Sequence, residues 1–514
     1  MKDKSAAAKQ IHEAEQAFDR RRRTFGLICA PILAVVVMLT PIDALSLEAH
    51  KLLAIMVLVA IWWITEPVPI PVTSLLGPTL AVITGAIPVG KAFAAFANPT
   101  IFLFMGGFIL AKAMMLHGLD KRFAYWLLAR KWVGSNPRRI FLAIGLATAL
   151  CSGWVSNTAT AAMMFPICLG LLTSIKEMFA ANGREIDLSE YKYATGLMLM
   201  TAYSASIGGV LTPIGTPPNL IMIGFLSSME NIEISFFQWM IWGFVAMVFY
   251  FIIAYVVLSK MFPADVEKID GAEEFIRKKI SELGEWTRAQ KNTLCAFAIA
   301  VTLWILPGFM NIFLGDSSPI LSMYNKLFPE AIAAMAGALL LFILPVNFSK
   351  REFTITWKEA AAGIEWGTLI LFGGGLAMGG MMYSTGLSKW LGDLIVNAMG
   401  GTISQVIFVA VFSVLALLLS ELTSHTAATN MIGPIAITIA VSAGLSPVPV
   451  AVGIALSASL GFMLPVSTPP NAIVYASGYV PITTMIKTGV YIDFIGIACV
   501  TIPIAIWLVT AIVG

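Results

Sequence analysis

Two stretches of sequence decide the fold because each occurs twice. Ser156-Asn157-Thr158-Ala159-Thr160 is followed by Thr216-Pro217-Pro218-Asn219, and Ser424-His425-Thr426-Ala427-Ala428 is followed by Thr468-Pro469-Pro470-Asn471. All four interrupt otherwise apolar sequence. Proline lacks the backbone donor and clashes with the preceding turn, so two adjacent prolines end a helix. The backbone groups freed by such a break cannot face lipid. They are tolerated only where they line a cavity or are buried in protein.

The correspondence extends outward from these motifs. Gly106, Gly118, Ser152 and Ser156 recur 268 positions later as Gly374, Gly386, Ser420 and Ser424. Thr216 recurs 252 positions later as Thr468, the change of offset matching the polar stretch 176–192 that the second half lacks. Internal repeats of this kind mark secondary transporters, and an odd number of spans between equivalent points inverts the second half.

Composition sets the medium. Of 514 residues, 58% are hydrophobic and 12% charged, against about 25% charged in soluble domains. A membrane helix needs roughly 20 apolar residues, and the runs 25–42, 52–64, 240–258 and 495–513 are long and continuously apolar. Such runs read as helices rather than barrel strands. Residues 1–24 hold seven Lys/Arg, ending in Arg20–Arg23, and no apolar core. They read as a cytoplasmic N-terminal segment with a short surface helix over 6–18, not as a cleavable signal. The stretch 260–291 holds seven basic and seven acidic residues and reads as a cytoplasmic linker, helical around 273–283. It separates a first repeat, 25–259, from a second, 292–514.

Several function classes drop out. A net charge of +3 carries no nucleic-acid signal. The five cysteines (Cys29, Cys151, Cys168, Cys295, Cys499) form no CxxC pair, so they read as buried packing residues rather than a zinc site or disulfide framework. There is no HExxH and no Gly-x-Ser-x-Gly, and only four histidines are present, so the chain reads as no enzyme and needs no organic cofactor.

The motifs suggest their own chemistry. Helix N-termini present unpaired N–H groups and suit carboxylates, while unwound carbonyls suit cations. Two halves give two such ends facing one cavity, a match for a ligand with two carboxylates. No Lys or Arg lies within the motifs, so bound cations have to supply counter-charge. Sodium, a hard cation, prefers oxygen ligands, and Ser152, Ser156, Asn157 and the Gly215 carbonyl are suitable.

These residues resemble the divalent anion/sodium symporter family of dicarboxylate, citrate and sulfate transporters. The likeness runs from residue 25 to near the end. It includes Trp62-Trp-Ile-Thr-Glu-Pro-Val-Pro69, Leu103-Phe-Met-Gly-Gly107, the Ser156 and Ser424 motifs, Trp357-Lys-Glu359, Trp366-Gly367, Leu371-Phe-Gly-Gly374 and both Thr-Pro-Pro-Asn segments. The resemblance implies an all-α membrane protein of about eleven transmembrane helices plus two re-entrant hairpins, near 94–117 and 363–385, in an inverted repeat. It also implies a homodimer in the cell (inner or plasma) membrane whose transport domain moves as an elevator. Substrate residues would be Ser156, Asn157, Thr158, Thr216 and Pro217 in the first half, and Ser424, His425, Thr426, Thr468 and Pro469 in the second. One sodium site would use Ser152, Ser156, Asn157 and Gly215; another would use Ser420, Thr423, residue 425 and Ser467.

His425 departs from the family pattern, which has asparagine there. Imidazole nitrogen is a poor ligand for a hard cation, whereas a protonated imidazole carries the charge itself. On this ground the reading favours exchange of one small dicarboxylate or tricarboxylate (the succinate, malate, fumarate, 2-oxoglutarate class) for another. Sodium-coupled symport is the alternative, and an anion channel a remoter one. Glu421 stands four residues before His425, a spacing that could pair the two across one helical turn. Glu66 and Glu365, near segment ends, are expected to cap or brace helices.

Overall fold

The structure is a computed structural model that describes residues 2–398, 404–508 and 511. The basic N-terminus and the first apolar run form one 38-residue helix, α1 (Lys2–Leu39), so the separate surface helix expected over 6–18 does not exist. The first half continues as α2 (Leu47–Thr65), α3 (Ile70–Ile83), α4 (Val89–Ala94), α5 (Pro99–Leu116), α6 (Leu119–Leu128), α7 (Pro137–Ser152), α8 (Asn157–Ala181), α9 (Lys192–Gly209), α10 (Pro217–Glu230) and α11 (Phe236–Met261). The charged linker carries the amphipathic α12 (Ala272–Glu282). The second half comprises α13 (Arg288–Leu314), α14 (Pro319–Leu327), α15 (Glu330–Ile343), a two-stranded ribbon of β1 (Pro345–Asn347) and β2 (Glu352–Phe353), and α16 (Trp357–Gly363). It ends with α17 (Trp366–Thr385), α18 (Leu387–Ala398), α19 (Gln405–Leu422), α20 (His425–Ser442), α21 (Pro447–Ala458), α22 (Pro469–Tyr475) and α23 (Ile482–Gly496), the last continuing in π-type turns to Leu508.

The duplication is therefore a duplication of elements: α5 to α10 answer α17 to α22 one for one. Even the proline inside α8, Pro166, has its counterpart in Pro434 of α20. Among the described residues eight helices are long and apolar enough to cross a membrane, or ten if each of two bent pairs is one span. That is close to the expected number. Large apolar side chains such as Leu39, Ile312 and Phe313 stand exposed on α1 and α13, as a lipid-facing surface requires. Cys295 and Cys499 are also exposed, unlike Cys151 and Cys168, so only part of the cysteine set is buried packing.

The halves of the sequence are not separate packing units. α5 of the first half packs on α15 of the second, and α17 of the second packs on α3 of the first. Likewise α10 lies against α20 and α21, while α22 lies against α8 and α9. Two groups result, each drawn from both halves: α2, α3, α5, α13, α15 and α17 on one side, and α7 to α11 with α19 to α23 on the other.

The segments expected to be hairpins are occupied differently. α5 and α17 are single helices, the latter joined to α16 at a bend of 58°. Their glycine runs serve close helix approach rather than chain reversal. A Cβ on Gly106 would stand 2.7 Å from the backbone of Ala334, and one on Gly374 would stand 2.6 Å from the carbonyl oxygen of Ser74. Small residues at such crossings are how helices pack where lipid removes the hydrophobic driving force. The turns that join packed consecutive helices fall instead at the motifs, between α7 and α8 and between α19 and α20.

Candidate functional site

Each half builds the same local device. In the first, α7 ends at Ser152 and α8 begins at Asn157, with Ser156 as N-cap accepting from the amide of Ala159. α9 ends at Gly209, and α10 starts with Pro217 and Pro218, whose missing N–H groups are ones a first helical turn would leave unpaired in any case. Asn219 then reaches back across the break, its Nδ2 donating to the carbonyls of Gly209 (3.1 Å) and Thr212 (2.8 Å). In the second half Ser424 caps α20, Pro469 and Pro470 open α22, and Asn471 Nδ2 donates to Gly461 and Leu464, both at 3.0 Å. The fourth residue of Thr-Pro-Pro-Asn is thus the tie that fixes the unwound segment. Its role was not readable from the motif alone.

The four motifs meet at one cavity of about 350 Å³. All ten residues expected to touch substrate line it: Ser156, Asn157, Thr158, Thr216, Pro217, Ser424, His425, Thr426, Thr468 and Pro469. Gly215 and Ser467 line it too, whereas Ser152, Ser420 and Thr423 are buried behind it. Thr216 Oγ1 has no partner. The remaining wall was missed from sequence: Phe104 and Phe108 from α5, Trp154, Ile214, and Glu365 at the bend before α17. Residues 104–108 were read for their glycines, and Glu365 as a capping residue. It does accept from Thr368 Oγ1 at 3.1 Å, but it also lines the cavity. Among the described residues no Lys or Arg lines it.

Behind the cavity the halves diverge. In the first, Ser152 Oγ donates to Asn157 Oδ1 at 2.7 Å. Gly215 is held so tightly that a Cβ there would lie 2.5 Å from the Gly209 carbonyl oxygen and 3.0 Å from that of Gly153. A Cβ on Gly209 would in turn meet Asn157 Oδ1 at 2.5 Å. Amide, hydroxyl and carbonyl oxygens converge in a cradle that side chains do not fill, and this donor set suits sodium.

In the second half, the His425 imidazole takes the amide's place. Its Nδ1 lies 2.6 Å from Ser420 Oγ, which also lies 2.7 Å from the Ala458 carbonyl. A carbonyl can only accept, so Ser420 donates to it and His425 Nδ1–H donates to Ser420. Thr423 Oγ1 donates to Leu419 O at 2.8 Å, and Ser467 Oγ donates to the Glu421 carboxylate. Glu421 also accepts from the amides of Met463 (2.9 Å) and Leu464 (3.2 Å). Thr423 and Ser467 donate and keep their oxygen lone pairs, but an imidazole nitrogen stands where the first half has an amide oxygen, so the two halves present different donor sets. Glu421 and His425 do not pair, because each side chain is engaged elsewhere. Arg22, read only as part of a basic cluster, donates from Nη1 to Leu422 O at 3.0 Å, bringing a guanidinium to the end of α19.

The sequence matches, over residues 22–513, the family model described as the sodium:sulfate symporter transmembrane region. It is 35% identical over 482 residues to the sodium-dependent dicarboxylate transporter SdcS of Staphylococcus saprophyticus, covering 93% of this chain and 90% of that one. It is 34% identical over 493 residues to SdcS of Staphylococcus aureus strain USA300, covering 95% and 92%. Among solved structures, the YdaH transporter of Alcanivorax borkumensis superposes with a TM-score of 0.56 at 14% identity, over 84% of this chain and 89% of that one. MtrF of Neisseria gonorrhoeae gives 0.55 at 14% identity, over 90% and 96%. These two likenesses concern the fold alone.

Proposed function

The chain belongs to the sodium:sulfate symporter family, and from that premise we propose that it is a multi-pass carrier in the plasma membrane that moves a small dicarboxylate together with sodium. The observation that carries the reading is the cavity itself. It is lined by both copies of both motifs and by no Lys or Arg among the described residues, and Glu365 adds negative charge. A dianion entering it requires cations to accompany it, since an unpaired buried charge is costly.

In this reading, the N-terminal turns of α8 and α20 direct amides and the hydroxyls of Ser156, Thr158, Ser424 and Thr426 at the two carboxylates. Sodium as co-substrate is held by Ser152, Asn157 and the carbonyls around Gly215. The names of the relatives at 34–35% identity, sodium-dependent dicarboxylate transporters, favour this over exchange. The expectation of exchange drawn from His425 is therefore set aside. His425 alters one half-site, and the oxygen cradle of the other is intact. The two helix groups, each drawn from both halves and meeting at α10 and α17, support inverted repeats and an elevator movement of one group past the other. A homodimer joined through the group containing α2, α3 and α5 fits the same scheme.

The test is succinate uptake into proteoliposomes with and without an inward sodium gradient, and with and without internal dicarboxylate. Saturable uptake that requires sodium and ignores internal substrate is expected. Sodium-independent uptake that needs internal dicarboxylate restores exchange, and non-saturating flux identifies a channel.

A further inference from the structure

The two half-sites carry matching polar motifs but not matching apolar neighbours. Trp154 stands two residues ahead of Ser156, and Ile214 two ahead of Thr216. Both line the cavity. At the same places in the second half stand Leu422 and Val466. Neither is on the cavity wall, and they are 56% and 65% exposed. The helices repeat this one-sidedness. Phe104 and Phe108 of α5 line the cavity, whereas their counterparts on α17, Phe372 and Leu376, are buried in helix packing away from it. Phe372 lies so close to α10 that a Cβ on Gly224 would stand 2.4 Å from its ring.

The four apolar side chains are held by what packs behind them. Phe104 and Phe108 stack with ring centroids 5.8 Å apart, and Phe104 meets Phe372 at 5.6 Å. Trp154 packs edge-on against Phe297 of α13 at 5.3 Å and lies nearly parallel to Phe236 of α11 at 6.4 Å. A Cβ on Gly107 would stand 3.3 Å from Ile214, so α5 approaches that side chain through a glycine. Together they make one fixed wall that carries no hydroxyl, carboxyl or amide side chain. The rest of the lining is mostly polar, with Ser424, His425, Thr426 and Glu365 from the second half.

Small-molecule sites combine an apolar wall with a few polar groups that fix orientation. Here the polar groups are the helix ends that take the carboxylates. What remains of the ligand is its carbon chain. Methylene groups gain by leaving water for such a wall. A hydroxyl or a third carboxylate placed there loses its water and finds no partner.

We propose that Trp154, Ile214, Phe104 and Phe108 form an apolar subsite for the carbon chain of the substrate. It selects dicarboxylates whose chain is bare or alkyl-substituted over hydroxy acids and tricarboxylates. This assignment deepens the dicarboxylate reading and rests on it. Trp154 and Ile214 belong to the helix group that carries both motifs, so they stay with the substrate if that group moves. Phe104 and Phe108 complete the wall from the other group.

The test is inhibition of sodium-driven succinate uptake into proteoliposomes by unlabelled succinate, methylsuccinate, malate and citrate, at a pH where the dicarboxylates are dianions. For wild type, methylsuccinate is expected to inhibit as well as succinate or up to about fourfold better, the gain for one buried methylene. Malate is expected to be about 5- to 150-fold weaker, the cost of an unpaired hydroxyl, and citrate weaker still. Ile214→Thr puts a hydroxyl on the wall and keeps the β-branched shape. It is expected to narrow the malate-to-succinate ratio by about fivefold or more and to cancel any gain from the methyl group. Phe108→Ser is expected to act in the same direction, and decides the matter should Ile214→Thr not fold. A wall with a merely structural role would weaken all four ligands alike, so unmoved ratios overturn the proposal. A wild type that binds malate or citrate as tightly as succinate overturns it too, as does one that binds methylsuccinate more weakly than malate. If wild type takes up no succinate at any sodium concentration, the dicarboxylate reading fails and the subsite with it; uptake with the wrong selectivity removes the subsite alone.

Discussion

The two half-sites share a skeleton and differ in what fills it. Ser152–Asn157 and Ser420–His425 are hydrogen-bonded pairs at matched positions, at 2.7 and 2.6 Å, with the serine donating in the first and accepting in the second. Asn219 and Asn471 tie equivalent breaks with two bonds each. Around those constants, the first half has Gly153 and Gly215 packed closely among carbonyl oxygens, where the second has the carboxylate of Glu421 and the hydroxyl of Ser467. The duplication kept the backbone geometry that creates helix ends at a cavity, and left the cation chemistry behind it free to diverge.

The sharpest way to break this comparison is at the matched positions 215 and 467. Gly215→Ala puts a methyl 2.5 Å from the Gly209 carbonyl oxygen and forces the cradle apart. Overpacking of this kind costs about 1–3 kcal/mol, so sodium-stimulated uptake is expected to fall by about 5- to 150-fold, with a raised sodium requirement in the residual activity. Ser467→Ala removes a single donor to Glu421 and is expected to lower uptake by about tenfold or less, with the sodium dependence unchanged. Equal effects on sodium dependence would show that both halves hold the ion.

A second pair tests what the halves share. Asn219→Leu and Asn471→Leu each delete two hydrogen bonds across a break, worth about 1 kcal/mol apiece. Each variant is expected to lose about 2 kcal/mol of stability, read as a lowered melting temperature, with uptake reduced to a similar degree. A large difference between them would mean that one break is held by other contacts, and the two skeletons would no longer count as equivalent.

His425→Asn gives the second half the residue of the first. The amide oxygen can reach the position of Nδ1 beside Ser420 and adds an oxygen ligand. Uptake is expected to rise more steeply with sodium, with the half-saturating concentration falling by about two- to fivefold. An unchanged sodium curve would show that Glu421 and Ser467, not the imidazole, keep sodium out of this half.

How much of this was legible in the sequence depends on the physical scale involved. Proline pairs, matched offsets and unbroken apolar runs are local signals, and they placed the motif residues on one cavity. What was not legible depended on partners distant in sequence. Nothing in residues 104–108 says that Gly106 will meet Ala334 or that Phe104 will line the cavity, so a glycine run read as part of a hairpin proved to be a crossing point. Glu421 and His425 are i, i+4 neighbours by number, but a helix ends between them. Helical spacing fails there, and each side chain finds a partner in a different segment.

The smallest expected effect concerns Glu365, the one acid among the described residues on the cavity wall. Glu365 belongs to neither repeat motif, is exposed, and is braced only by Thr368. A carboxylate there repels an arriving dianion and attracts an arriving cation, and the two effects oppose each other in net uptake. Solvent screens both, because an exposed charge acts over about 8 Å at physiological salt. Glu365→Gln is therefore expected to tighten succinate binding by about two- to threefold at low ionic strength and not at high, with a compensating rise in the sodium needed for half-maximal uptake. If instead the substitution abolishes uptake at every ionic strength, Glu365 is a cation ligand in its own right. The counter-charge asymmetry would then extend to a third position, contributed by the helix group that packs outside both motifs.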